Sequence, residues 1–197
     1  MIDTADKKHL ERWLRELPEK ARTSFATRHA LRELPMASGI LHHQLKGMNG
    51  EGYLLSCFRA NLISGVVGTW PAPQISEGII RFTLSARSDL LSARSAAQFA
   101  DSARPALSAA LTALSARSVS SAPSTADSVL SARSPLSTRS TAHSTALVAA
   151  DFADSAALSA APNDTIALFG LPLWSDEIPE HLATQERRFA DISASTP

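Results

Sequence analysis

The sequence predicts an all-α protein: a compact N-terminal helical region followed by antiparallel Ala/Ser-rich helices of repeat-like character. Three observations predict it. Apolar residues recur at intervals of three and four, the helical period, and do not alternate as in strands. Prolines stand between these segments, where they can open a helix at its first turn but would break one internally. From Leu84 to Ala161, 78 residues hold 23 Ala and 19 Ser without one Gly. The composition divides the chain into a helical region at 1–73, repeat helices at 74–162, and a short, partly disordered C-terminal segment at 163–197.

The first helix is capped by Asp3 or Thr4. Leu10, Trp13, Leu14 and Leu17 then form one apolar stripe. Leu17-Pro18 ends it, and Pro18 opens a second helix with Glu19 in its first turn, where the dipole favours an anion. Ala26, Ala30 and Leu34 give that helix a row, and Pro35 stops it. Residues 47–52 read as a loop. Tyr53 to Trp70 reads as a buried helix closed by Pro71-Ala72-Pro73; Gly65 and Gly68 weaken it and suggest close contact with a neighbouring helix.

The middle carries Leu-Ser-Ala-Arg-Ser at 84–88, 91–95, 114–118 and 130–134. The first two copies, seven apart, place Leu84 and Leu91 on one helix face. Later spacings are irregular, which excludes a sustained coiled coil. Prolines 105, 123, 135 and 162 divide the stretch into helices near 75–103, 106–120, 124–133 and 136–160. Serine lowers helix propensity, so these helices need packing. Small Ala and Ser faces allow close approach while leucines fill the seams.

The chain has 19 basic and 19 acidic side chains and a formal net charge of zero. That excludes binding nucleic acid by bulk charge. The single Cys57 excludes an intrachain disulfide and a Cys-rich metal centre. It lies in an apolar helix and reads as a buried structural thiol. The polar N-terminus shows no secretory pattern, and with the lone cysteine it predicts a cytoplasmic protein. Arg59 within 53–70 argues against a membrane span.

No motif carries chemistry. The six histidines read as scattered loop or surface residues without metal spacing. The glycines at 47–52 lack the Lys-Ser/Thr of a phosphate loop, and Ser64-Gly65 lacks the glycine two residues before a nucleophilic serine. No catalytic, cofactor or metal residue is assigned. The Arg-Ser dipeptides read as a solvated face. Candidate partner contacts are Arg87 and Arg94 on that face, and Leu171, Leu173 and Trp174, where the Trp either plugs the last helices or anchors a partner.

Four blocks, in order, resemble a group of uncharacterised Ala-rich bacterial repeat proteins. They are "LxRWLxxxP" from Leu10 to Pro18, "AxRxALRxLP" from Ala26 to Pro35, "FRAxxxxxVxxxxP" from Phe58 to Pro71, and "LPLWxxxxP" from Leu171 to Pro179. In similar proteins a further Trp-rich helix follows the last block. Here the tail from His181 departs from that pattern, as a truncated or decayed copy would. The resemblance implies an all-helical architecture and carries no catalytic residue. The function expected is that of a non-enzymatic interaction or scaffold protein, with a protein partner or a homo-oligomer and no nucleic acid. A membrane-surface helix assembly is the alternative.

Overall fold

The structure, a computed structural model, describes residues 6–37, 50–69, 88, 104–133, 141–174 and 183–184. Among them are helices α1 (Lys7–Glu16), α2 (Glu19–Ala37), α3 (Gly50–Thr69), α4 (Arg104–Ser115), α5 (Ala122–Arg133), α6 (Thr141–Ala160) and α7 (Thr165–Gly170), a 3-10 turn at Val119–Ser121, and no strand. The chain is all-α. The expected helix at 75–103 lies outside the described residues apart from Ser88, which is helical. No described helix is long and apolar enough to cross a membrane.

α2 is the central element, packed against α3, α4, α6 and α7, while α1 lies on α5. Asp6 caps α1 by accepting from the Lys8 amide, a few residues beyond the cap expected at Asp3 or Thr4. The predicted stripe Leu10, Trp13, Leu14 and Leu17 is buried against Phe25, Ala122, Ala126, Val129 and Leu158. Trp13 meets the Phe25 ring edge-on, with centroids 5.1 Å apart. A second core gathers Leu34, Cys57, Leu107, Leu114, Leu147 and Trp174.

Pro35 does not end α2, which continues to Ala37. The proline removes the amide that would bond the Leu31 carbonyl and sets its ring against that carbonyl. Burial of Leu34 and Met36 on either side offsets that loss.

Between α2 and α4 runs an alanine seam of Ala26 and Ala30 against Ala109, Ala113 and Ala116. Here small side chains permit close approach, as the composition suggests. Several serines and threonines are accommodated by bonding back into their own helices. Thr27 donates to the Thr23 carbonyl at 2.8 Å, Thr112 to Ala109 at 2.8 Å, and Ser159 to Ser155 at 2.7 Å. A repeating unit is not established. α4 packs chiefly on α2 and α3, and α5 is shared between α1, α4 and α6.

Gly65 is not required for close contact. A Cβ there would meet Thr27 Cγ2 at 3.7 Å, an ordinary separation. Gly65→Ala is therefore expected to raise stability by about 0.5–1 kcal/mol, read as a higher urea midpoint, because alanine loses less backbone entropy in a helix.

Candidate functional site

Two features depart from an ordinary helical bundle: the charges are inside and apolar residues are outside. α2 buries Arg22, Arg28, His29, Arg32 and Glu33. α6 buries Asp151 and Asp154 in the same stripe as Leu147, Ala150 and Leu158. Buried charges need partners and satisfied hydrogen bonds, and the arginines supply both.

Arg28 Nε donates to both Asp154 oxygens at 3.0 Å. Its Nη1 donates to the carbonyls of Leu168 (2.9 Å) and Leu171 (3.0 Å), and its Nη2 to Pro172 (2.5 Å). One guanidinium thus pairs a carboxylate and binds carbonyls at and just past the end of α7, the Leu168 carbonyl accepting also from the Leu171 amide. Arg32 sits one turn further on. Nε donates to the Leu173 carbonyl (2.6 Å), Nη1 to Asp151 (3.0 Å) and Nη2 to Asp154 (2.6 Å). Asp151 also accepts from Arg133 Nε at 3.2 Å and faces His29 Nδ1 at 3.2 Å. Glu33 and His143, both fully buried, approach to 3.5 Å.

Arg22 does similar work at the other end of α2. It donates to the carbonyls of Leu14 (3.2 Å) and Leu17 (3.0 Å) at the end of α1, and of Ala116 (2.7 Å) and Arg117 (3.0 Å) just past α4. The planar five-donor fork of arginine makes such multiple capping feasible, which a lysine could not copy.

The two aspartates respond to this setting differently. Burial pushes the Asp151 carboxyl up, but the neighbouring His29, Arg133 and Arg32 overcome that and hold it well below its ordinary 3.8. Burial raises Asp154 above its ordinary value, with Arg32 and Arg28 opposing only in part. A depressed carboxyl adds stability that is complete above the ordinary value and lost as pH falls through the folded one. A raised carboxyl has the opposite sign, with stability complete below the ordinary value and lost as pH rises through the folded one. Asp151→Asn is therefore expected to cost about 3 kcal/mol at pH 7. That cost should shrink as pH is lowered from about 5 toward 2, measured by urea unfolding at stepped pH.

The structure corrects three sequence expectations. His29 and His143 are buried, not surface residues, because each faces a buried carboxylate. Arg133, in one of the Arg-Ser dipeptides, is buried on Asp151, whereas Arg117 stays exposed beside Glu19 at 3.0 Å. Tyr53–Trp70 is not buried all round.

The arrangement around α3 is inverted. Its buried face holds Cys57 and Ala60 together with Asn61 and Ser64, whose buried polar atoms find no hydrogen-bond partner. Burial pushes the Cys57 thiol up to about 12, so the nucleophilic thiolate is suppressed. Its outer face shows Leu55 (48% exposed), Phe58 (40%), Leu62 (68%) and Val66 (38%). At 3.6 residues per turn these four lie within an arc of about 80°, opposite the buried set. The outer side of α6 likewise carries Val148 and Phe152 among Ala142, Thr145, Ala153, Ala156 and Ser159, with no charge. The two acidic residues of α6 point inward.

Of the predicted contact residues, Leu171 is exposed, Leu173 is half-buried, and Trp174 is buried with its ring edge-on to His143, centroids 6.1 Å apart. Trp174 thus plugs the core. The segment offered as a partner contact is docked on this chain's own α2 through its backbone carbonyls. Arg87 and Arg94 lie outside the described residues, as do His42, His43 and His181. Among the described residues no group of His, Cys, Asp or Glu could hold a metal ion.

The arrangement therefore offers buried charges with structural partners and an apolar outer face. Comparison with protein-family models, with curated proteins and with solved structures finds no match for this chain.

Proposed function

We propose that this chain is a non-enzymatic helical interaction protein that engages another protein through the outer face of α3. The observation that carries this reading is the inversion of α3: polar Asn61 and Ser64 turn inward while Leu55, Phe58, Leu62 and Val66 turn outward. Exposing four large apolar side chains in one stripe has a cost in water and marks interaction surfaces in other proteins. An i, i+3, i+7, i+11 stripe is the pattern by which one helix lies along another or in a groove. The buried charge cluster supports the same reading. It spends the buried ionisable groups of α2 and α6 on holding helices together, leaving those groups no substrate to face.

A photo-crosslinking residue at position 62 tests the reading in intact cells. Discrete protein adducts are expected from position 62 and none from exposed Lys20. Absence of protein adducts at 62, or transfer of the label to lipid only, would overturn it. The lipid outcome would favour attachment to a membrane surface.

A further inference from the structure

We propose that α3 is a releasable helix: it lifts from α2 and α4 as a unit, ahead of global unfolding, while the rest of the bundle stays joined. The proposal concerns the inner face of α3 and stands whatever meets the outer one.

The apolar surface that α3 brings to the core is small. Its described buried apolar side chains are Cys57 and Ala60, with Ile63 half-buried beside them. α1 is 10 residues long against 20 for α3, yet it buries Leu10, Trp13 and Leu14. α4 buries Leu107 and Leu114 together with Ala106, Ala109, Ala110 and Ala113. Each large apolar side chain withdrawn from water favours docking by about tenfold or more. Leu55, Phe58, Leu62 and Val66 lie on the far side of α3 and add little to its hold.

Docking also strips polar groups of water. Asn61 Oδ1, Asn61 Nδ2 and Ser64 Oγ are buried without a hydrogen-bond partner. Residues 61 and 64 share one turn of the inner face. A polar group dried without a replacement bond opposes docking by about fivefold or more. Release returns all three atoms to water. An apolar side chain at position 61 would carry no such cost, so α3 is held less tightly than its length allows.

The other helices are joined without it. α2 and α4 meet along the alanine seam, and Arg22 ties them through the Ala116 carbonyl at 2.7 Å. Arg28 and Arg32 bind α6 and the end of α7 to α2. Trp13 Nε1 donates to Ser159 Oγ at 3.3 Å and links α1 to α6. On α3, by contrast, Thr69 bonds back to the Gly65 carbonyl of its own helix at 2.9 Å. Once released, a helix of this length with glycines at 65 and 68 is marginal in water, so its amides open with it. α3 is thus a two-state element, which a bound molecule biases by preferring one state.

Cys57 reports the event, because it is the chain's one cysteine and is fully buried when α3 is docked. Its labelling by the disulfide reagent DTNB, in the full chain and from no urea to just below the unfolding transition, tests the proposal. Cys57 should react at least about tenfold faster than the global unfolding equilibrium permits, with less than about half of the global urea slope. Amides across 57–66 should open with a matching equilibrium, ahead of those across 22–32 and 106–114. Asn61→Leu removes two unpartnered atoms at similar volume and should slow labelling by about fivefold or more. Lys20→Gln, exposed on α2, should leave it unchanged. Circular dichroism and the urea midpoint check that each variant is folded. Should Asn61→Leu fail to fold, Ser64→Ala serves instead, with labelling slowed about threefold. Labelling that follows the global unfolding equilibrium and slope overturns the proposal. Fast labelling with slow α3 amides also overturns it, since that marks a local fluctuation around the thiol. Labelling unchanged by removal of the buried polar atoms overturns it as well. The crosslinking result at position 62 stands or falls separately.

Discussion

Arg32→Ala is expected to be among the most damaging single changes in the described chain, costing about 4 kcal/mol. Arg32 is the largest of the fully buried side chains. It contacts Asp151, Asp154 and the Leu173 carbonyl at once. Removing it leaves Asp151 to Arg133 and His29, leaves Asp154 to Arg28 alone, and leaves the Leu173 carbonyl without this donor. A buried charge that loses a partner costs more than the pair ever contributed, because desolvation of the survivor is no longer offset. Native domains have only about 5–15 kcal/mol in total. With a urea slope of about 2 kcal/mol/M, the midpoint should fall by about 2 M. Arg32→Lys should recover only part of this, since one ammonium cannot span three acceptors in a fixed plane. A midpoint shift of less than about 0.25 M for Arg32→Ala, the range of ordinary surface changes, would contradict the assignment.

Arg22→Ala is expected to cost about 3 kcal/mol, through four carbonyls and no carboxylate. The groups it leaves behind are the ends of α1 and α4, whose last carbonyls have no helical donors. Part of that loss is regained from water, because the contact with the Arg117 carbonyl is only partly buried. The expected signature is loosening of α1 from α5 before global unfolding. Tryptophan emission should shift to the red as Trp13 gains solvent, and amide exchange across 7–16 should accelerate ahead of exchange in α4. Arg22 and Arg32 are ten residues apart on one helix, about 15 Å. They share no partner, so the two losses should add to within about 0.5 kcal/mol in the double variant. Unchanged α1 exchange in Arg22→Ala would contradict the capping role.

The fold class was legible in the sequence, because it rests on period and on proline placement. The stripe from Leu10 to Leu17 and the closeness allowed by Ala26 and Ala30 follow directly from residue types. Two things were not legible. Helical period locates a face but not which side it turns, so Tyr53–Trp70 read as buried when only its Cys57–Ser64 face is. Proline in the last turn of α2 read as a stop because tertiary burial of Met36 is invisible locally. The charge cluster left one signal. Asp151 and Asp154 fall between Leu147 and Leu158 at spacings of three and four, so they share a stripe with core residues. An acid inside such a stripe demands a buried cation, and Arg28 and Arg32, one turn apart on α2, present a matching pair. The Arg-bearing repeats drew attention to composition instead, where Arg133 could not be told from its exposed counterpart Arg117.

Arginine modification by phenylglyoxal, read residue by residue by mass spectrometry, addresses the inside-out arrangement most directly. In the folded protein Arg12 and Arg59, both exposed, should react quickly, while Arg22, Arg28 and Arg32 should be protected by at least about a hundredfold, the factor that an opening free energy of about 3 kcal/mol imposes. In concentrated denaturant the five should react at similar rates. Reaction of Arg28 and Arg32 as fast as Arg12 under native conditions would place those guanidiniums in water, and the helix-binding cluster described here would not exist.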